Sequence, residues 1–142
     1  MISPLIMALA LYTDVSLPDE SLDEFILRAG YTISKQTDKR NAEICAVIIK
    51  DGGRYRIDVS TNDRLTSCDV PNGNFVTVHS HPRLATPAFS PSDYLTPGYL
   101  VHGRNVYHQA GKGTERFVGR VSKSSRVENQ ESSVIADDGY QE

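Results

Sequence analysis

Apolar residues change their spacing several times along this 142-residue chain, and each change marks an element. Leu22, Phe25, Ile26, Ala29 and Ile33 recur at intervals of three and four, which predicts an amphipathic helix of roughly four turns. The stretch Ser16-Leu17-Pro18-Asp19-Glu20 reads as its start, with Ser16 at the N-cap and acidic residues where the helix dipole favours them. Polar Ser34 to Asn41 reads as the exit loop. Glu43 to Lys50 is a nearly continuous apolar, β-branched run, the pattern of a central strand buried on both faces. Asp51-Gly52-Gly53 is a hairpin turn signal, and Arg54 to Val59 alternates as a half-buried antiparallel partner would. Phe75 to Ser80 predicts a further strand. Gly98 to His102, Asn105 to His108 and Arg116 to Val121 predict three short ones.

The segments between them are less structured in pattern. Thr61 to Asn74 is polar and turn-rich, as a surface loop is. Ile2 to Tyr12 holds an apolar stretch too short to span a bilayer, without the basic flank of a secretory signal, and is expected to be a packing segment, with a degenerate signal or pro-region as the alternative. From Ser122 onward apolar anchors are few. The expected organisation is one domain over residues 1–121 and a disordered tail over 122–142.

Composition narrows the function. At 39% hydrophobic residues the chain can bury one small core. A net charge of −3, with Lys and Arg scattered, argues against nucleic acid or an anionic membrane as partner, and no stable membrane insertion is expected. The cytoplasm is the expected compartment, with the periplasm or export as an effector as the alternative. Cys45 and Cys68 lack a C-x-x-C spacing. Two separate thiols are the expectation and a disulfide the alternative.

The candidate chemistry lies at the end of the Phe75 run. His79 and His81, two residues apart on a strand, share one face and can reach a single metal ion. Pro82 ends the strand, and the chain reaches Ser90-Pro91-Ser92-Asp93, which reads as a helix start and brings a carboxylate near the pair. Two His and one Asp make three ligands. A zinc ion so held keeps a fourth position open, as in catalytic rather than structural sites. The same Ser-Pro-Ser-Asp run is also a plain helix-capping pattern, so capping and metal binding compete for Ser90 and Asp93. His102 and His108 fall outside this constellation and read as ordinary histidines. Tyr99, Tyr107 and Phe117 read as core or cleft wall.

The pattern His79-Ser80-His81-Pro82, seven residues, Ser90, two residues, Asp93 resembles the signature of the JAMM (MPN+ or JAB) zinc metallopeptidases. Glu43-Ile44-Cys45-Ala46 resembles that family's upstream Glu-x-x-Gly element, with Ala46 where glycine is usual. The resemblance spans the first helix to the last strand and is nearest to compact bacterial members, including toxin- and effector-associated ones. It implies an α/β fold of the α+β type, with a curved, mainly antiparallel or mixed sheet flanked by helices, in a JAB/MPN-like, cytidine deaminase-like architecture. It also implies His79, His81 and Asp93 as zinc ligands, Glu43 as general base and then acid, and Ser90 as oxyanion donor. The implied reaction is hydrolysis of a peptide or isopeptide bond in a protein, ubiquitin-like or cell-wall substrate. A cell-wall amidohydrolase acting as an effector and a catalytically silent binding module are the alternatives. A deaminase would need His-x-Glu and Pro-Cys-x-x-Cys elements that the chain lacks.

Overall fold

The computed structural model of the chain describes residues 8–65, 68 and 75–123. It contains β1 (Leu9–Val15), α1 (Leu22–Arg40), β2 (Ile44–Asp51), β3 (Arg54–Thr61), β4 (Val76–His81), β5 (Gly98–His102), β6 (Asn105–Gln109) and β7 (Arg116–Arg120), with a 3₁₀ turn at Pro91–Leu95. The fold is α+β: the strands form one mixed sheet in the order β1-β3-β2-β4-β5-β6-β7, and α1 packs on one of its faces. Among the described residues the expected flanking helices reduce to one α-helix. The connection from β4 to β5 carries Pro82, Pro87, Pro91 and Pro97, so it cannot form more than a short turn.

The helix differs from expectation at both ends. Its N-cap is Ser21, not Ser16: the Ser21 hydroxyl accepts the Glu24 N–H at 3.1 Å and the Glu24 carboxylate accepts the Ser21 N–H at 3.0 Å. Ser16 instead bonds Tyr55, donating its N–H to the carbonyl at 2.8 Å and accepting the Tyr55 N–H on its hydroxyl at 2.9 Å. Glu20 turns back to the Leu17 N–H and to the Arg28 guanidinium, so it serves the turn before the helix. At the other end Ser34 to Arg40 continues the helix, because its polar side chains find partners inside the fold. Ser34 donates to the Gly103 carbonyl at 2.7 Å, and the Thr37 and Ser80 hydroxyls share a hydrogen bond of 2.6 Å. Asn41 closes the helix in a left-handed conformation.

Phe25, Ile26, Ala29 and Ile33 bury against Ile44, Ala46, Ile48, Val78, Tyr99, Val101 and Val106, alternate residues of the four central strands. Each large apolar side chain so buried stabilises the fold by about 1.5–3 kcal/mol. The β2–β3 hairpin turns through Gly52 and Gly53, both at positive φ (60° and 84°), as a two-residue turn of this hand requires. The strand at β1 was not expected from the Ile2 to Tyr12 stretch; it exists through pairing with β3. Residues 1–7, most of the 66–74 loop and the tail from residue 124 lie outside the described residues. Val121 is buried and Ser122 donates its N–H to the Leu27 carbonyl at 2.9 Å. No described helix is long and apolar enough to cross a membrane.

All strand pairs are antiparallel except β4–β5, which is parallel and aligns Thr77 with Gly98, His79 with Leu100 and His81 with His102. Glycine at 98 is a packing requirement: a Cβ there would stand 2.5 Å from Thr77 Oγ1 and 2.9 Å from the Thr77 carbonyl oxygen. Replacing Gly98 with Ala should therefore lower stability by about 1–3 kcal/mol, the usual cost of overpacking. Urea denaturation of the two proteins checks this, and equal midpoints would refute the close approach.

Candidate active site

Strand alternation divides β2 and β4 cleanly. Ile44, Ala46, Ile48, Val78 and Ser80 face α1, whereas Glu43, Cys45, Thr77, His79 and His81 share the opposite side of the sheet. The antiparallel register pairs Cys45 with His79, and continuing it by two residues sets Glu43 beside His81. On the far face Ser80 accepts the Ile44 N–H at 2.9 Å while bonding Thr37, which fixes the end of β4 to both β2 and the helix.

The parallel β4–β5 pair requires a crossover, and residues 82–97 supply it. They bring Phe89, Ser90 and Asp93 over the histidines. The five residues suggested by the sequence thus line one cavity of about 220 Å³, together with Cys45, Cys68 and Ser92. His79 Nε2 stands 3.5 Å from Asp93 Oδ2, and His81 Nε2 stands 3.6 Å from Glu43 Oε2. The imidazole rings of the two histidines are 5.0 Å apart, and Phe89 meets His79 edge-on at 6.2 Å.

Each ring is oriented. The Thr86 carbonyl lies 2.7 Å from His81 Nδ1, so Nδ1–H donates to it and the ring is turned with Nε2 toward the cavity. Burial pushes the His79 ring down to about 4, against the pull of Asp93 and helped by His81, so the imidazole is neutral at ordinary pH. Burial, and then the negative charge of Asp93, push the Glu43 carboxyl up to about 7. A carboxyl poised there can both take and return a proton near neutrality.

The capping and site roles of Asp93 coexist. Its Oδ2 accepts the Ser90 N–H at 2.7 Å and is the same oxygen that faces His79. A carboxylate oxygen has lone pairs for both. The Ser90 hydroxyl has the Ser92 hydroxyl as neighbour at 3.3 Å and lies on the cavity wall.

His102 and His108 stay apart from this cluster. His102 Nε2 lies 3.1 Å from the Arg83 carbonyl, and His108 packs on Tyr99 at 4.6 Å on the helix side. Tyr99 is core, with its hydroxyl on Asp23, whereas Tyr107 and Phe117 pack together towards the sheet edge.

The expectation of two separate thiols is corrected: Cys45 and Cys68 form a disulfide, with Cα atoms 6.1 Å apart. The sequence separation hid their proximity, which exists because Cys68 lies over the site face, on the wall of the same cavity as Cys45. Cys68 Sγ is 3.7 Å from Glu43 Oε1, so the bridge forms the wall behind the carboxylate.

Among the described residues, Glu43, Cys45 and Cys68 are the one set of three metal-binding side chains whose ligand atoms lie within 4.8 Å of one another. The disulfide removes both thiolates from that set. His79, His81 and Asp93 do not meet the same limit, because His81 turns toward Glu43. Their donors nonetheless suit zinc, and two atoms each about 2 Å from a tetrahedral ion stand about 3.3 Å apart, close to the His79–Asp93 separation. A turn of one side chain is needed for all three to share an ion. No family model matches this chain, and no curated protein or solved structure matches it.

The bridge closes a loop across a sequence separation of 23, which should stabilise the fold by about 3 kcal/mol through the unfolded chain. Thiol titration of the unreduced protein in denaturant should therefore find no reactive thiol, and reduction should lower the melting temperature. A full complement of thiols before reduction would exclude the bridge.

Proposed function

We propose that this chain is a zinc-dependent hydrolase of the JAMM type, cleaving a peptide or isopeptide bond, and that its sheet and proline-rich crossover are a compact form of the JAB/MPN architecture. The observation that carries the reading is the pairing of His79 with Asp93 and of His81 with Glu43 across one cavity, with Ser90 on its wall. Neither pairing follows from helix capping, which would be satisfied with Asp93 facing solvent.

His79, His81 and Asp93 would hold the ion. Bound zinc acidifies water and polarises a carbonyl. Glu43, within reach of the same space, takes the proton from the attacking water and returns it to the leaving amine. The Ser90 hydroxyl donates to the oxygen of the scissile carbonyl as negative charge develops on it. The Thr86 carbonyl keeps the His81 ring turned with Nε2 toward the cavity. The disulfide stands behind the Glu43 carboxylate, on the side away from the reacting water, with Cys68 Sγ 3.7 Å from Oε1.

Dialysed protein should carry about one zinc per chain through these three ligands. Loss of most of that metal is expected in His79→Ala and in Asp93→Ala, read by elemental analysis beside circular dichroism. Metal content equal to the parent in both would remove the site. Glu43→Gln should keep the metal and the fold but lose hydrolysis of a peptide panel, since an amide cannot accept the proton. Ser90→Ala should reduce turnover by a factor of about 100, with the fold intact; unchanged turnover would take the hydroxyl out of the reaction.

A further inference from the structure

The 3₁₀ turn that carries Asp93 has little of its own to hold it. None of its residues is buried, and Leu95, its one large aliphatic side chain, is 85% exposed. Tyr94 reaches Glu115 and touches the Phe89 ring, contacts that fix a side chain rather than the backbone of Asp93. Capping by Asp93 itself bonds the turn only to its own first residue.

The sheet supplies what the turn lacks. Gln109, at the end of β6, is 1% exposed and lies across from Gly98 in the β5–β6 register. With no side chain at Gly98, its side chain has room to rise on the site face. Its amide nitrogen donates both hydrogens to the turn, one to the Asp93 carbonyl at 2.9 Å and one to the Thr96 carbonyl at 2.8 Å. Its amide oxygen accepts the Gly111 N–H at 2.7 Å, which fixes which end of the amide faces the turn. Three bonds therefore lock a buried amide whose two donors grip the backbone of the candidate ligand and of the residue that ends its turn.

We infer that Gln109 is a positioning residue for the metal centre, holding the Asp93 backbone so that its carboxylate meets His79. It touches neither the ion nor a substrate and acts through Asp93. The inference rests on the zinc reading given above. A merely structural Gln109 would change stability alone; a positioning one changes metal affinity in protein that is still folded.

The test is zinc affinity by competition with a chromophoric chelator, measured with the melting temperature on the parent, Gln109→Met, Gln109→Glu, Gln109→Asn and Tyr99→Phe. Met and Glu match the length of glutamine without its two donors at neutral pH. Asn keeps the donors on a stem too short to reach both carbonyls. Tyr99→Phe loses one part-buried hydrogen bond, to Asp23 on the helix side, and controls for general loosening. The expected result is zinc binding at least tenfold weaker in all three Gln109 variants, the scale of loss when outer partners of metal ligands are removed, with parental affinity in Tyr99→Phe. Parental affinity in the Gln109 variants overturns the inference and leaves the zinc site standing. Equal weakening in Tyr99→Phe also overturns it. Should Met and Glu fail to fold, the Asn variant decides by the same criterion. A parent that binds no zinc overturns the zinc reading and this inference together.

Discussion

The arrangement of the molecule follows from one constraint, the parallel pairing of β4 with β5. Neighbouring strands that run the same way cannot be joined by a tight turn; the chain must travel back the length of the strand before it can pair. Here the return runs over the sheet face that α1 leaves open, and four prolines keep it from forming a second helix. The open face, the histidines that alternate onto it and the carboxylate carried above them all trace to that choice of direction. Were β4 and β5 antiparallel, Asp93 would have no reason to pass over His79.

Much of this was readable from the residues, and what was not has a physical reason. Period-two alternation and the Gly52-Gly53 pair located the hairpin, and His79 and His81 fell on one face because strand geometry allows nothing else. The end of α1 was not readable, since Ser34 and Thr37 look like loop residues until Gly103 and Ser80, distant in sequence, supply their partners. Ser16 resembles a helix cap in isolation and loses that role to Ser21, which alone has a glutamate three residues on. β1 becomes a strand only by lying along β3. Gln109 gave no signal because it bonds backbone carbonyls, and a carbonyl has no residue identity to read. Cys45 and Cys68 had the right number for a pair but nothing local to bring them together.

The site is asymmetric in how its parts are held. His79 and His81 are borne by a central strand fastened on both edges, with Ser80 pinned to α1 from behind. Glu43 sits at the start of β2, backed by the disulfide. Asp93 arrives on a turn with no buried residue. The histidines are thus held by the sheet itself, whereas the Asp93 carboxylate rides on a backbone held from outside its own turn, by the two donors of Gln109.

An open sheet has two outer edges, and the two here are not alike. β7 is five residues long, is interrupted opposite Val106 and Tyr107, and bears Arg116 and Arg120 at its ends. Short length, irregular pairing and charge all discourage a further strand from docking. β1 is seven residues long and leaves Leu9 and Val15 exposed at 49% and 40%. Its one irregularity, between Ala10 and Tyr12, leaves an unbroken register from Tyr12 to Val15. Among the described residues the β1 edge therefore carries less that discourages a further strand than the β7 edge does, and it lies three strands from the histidines.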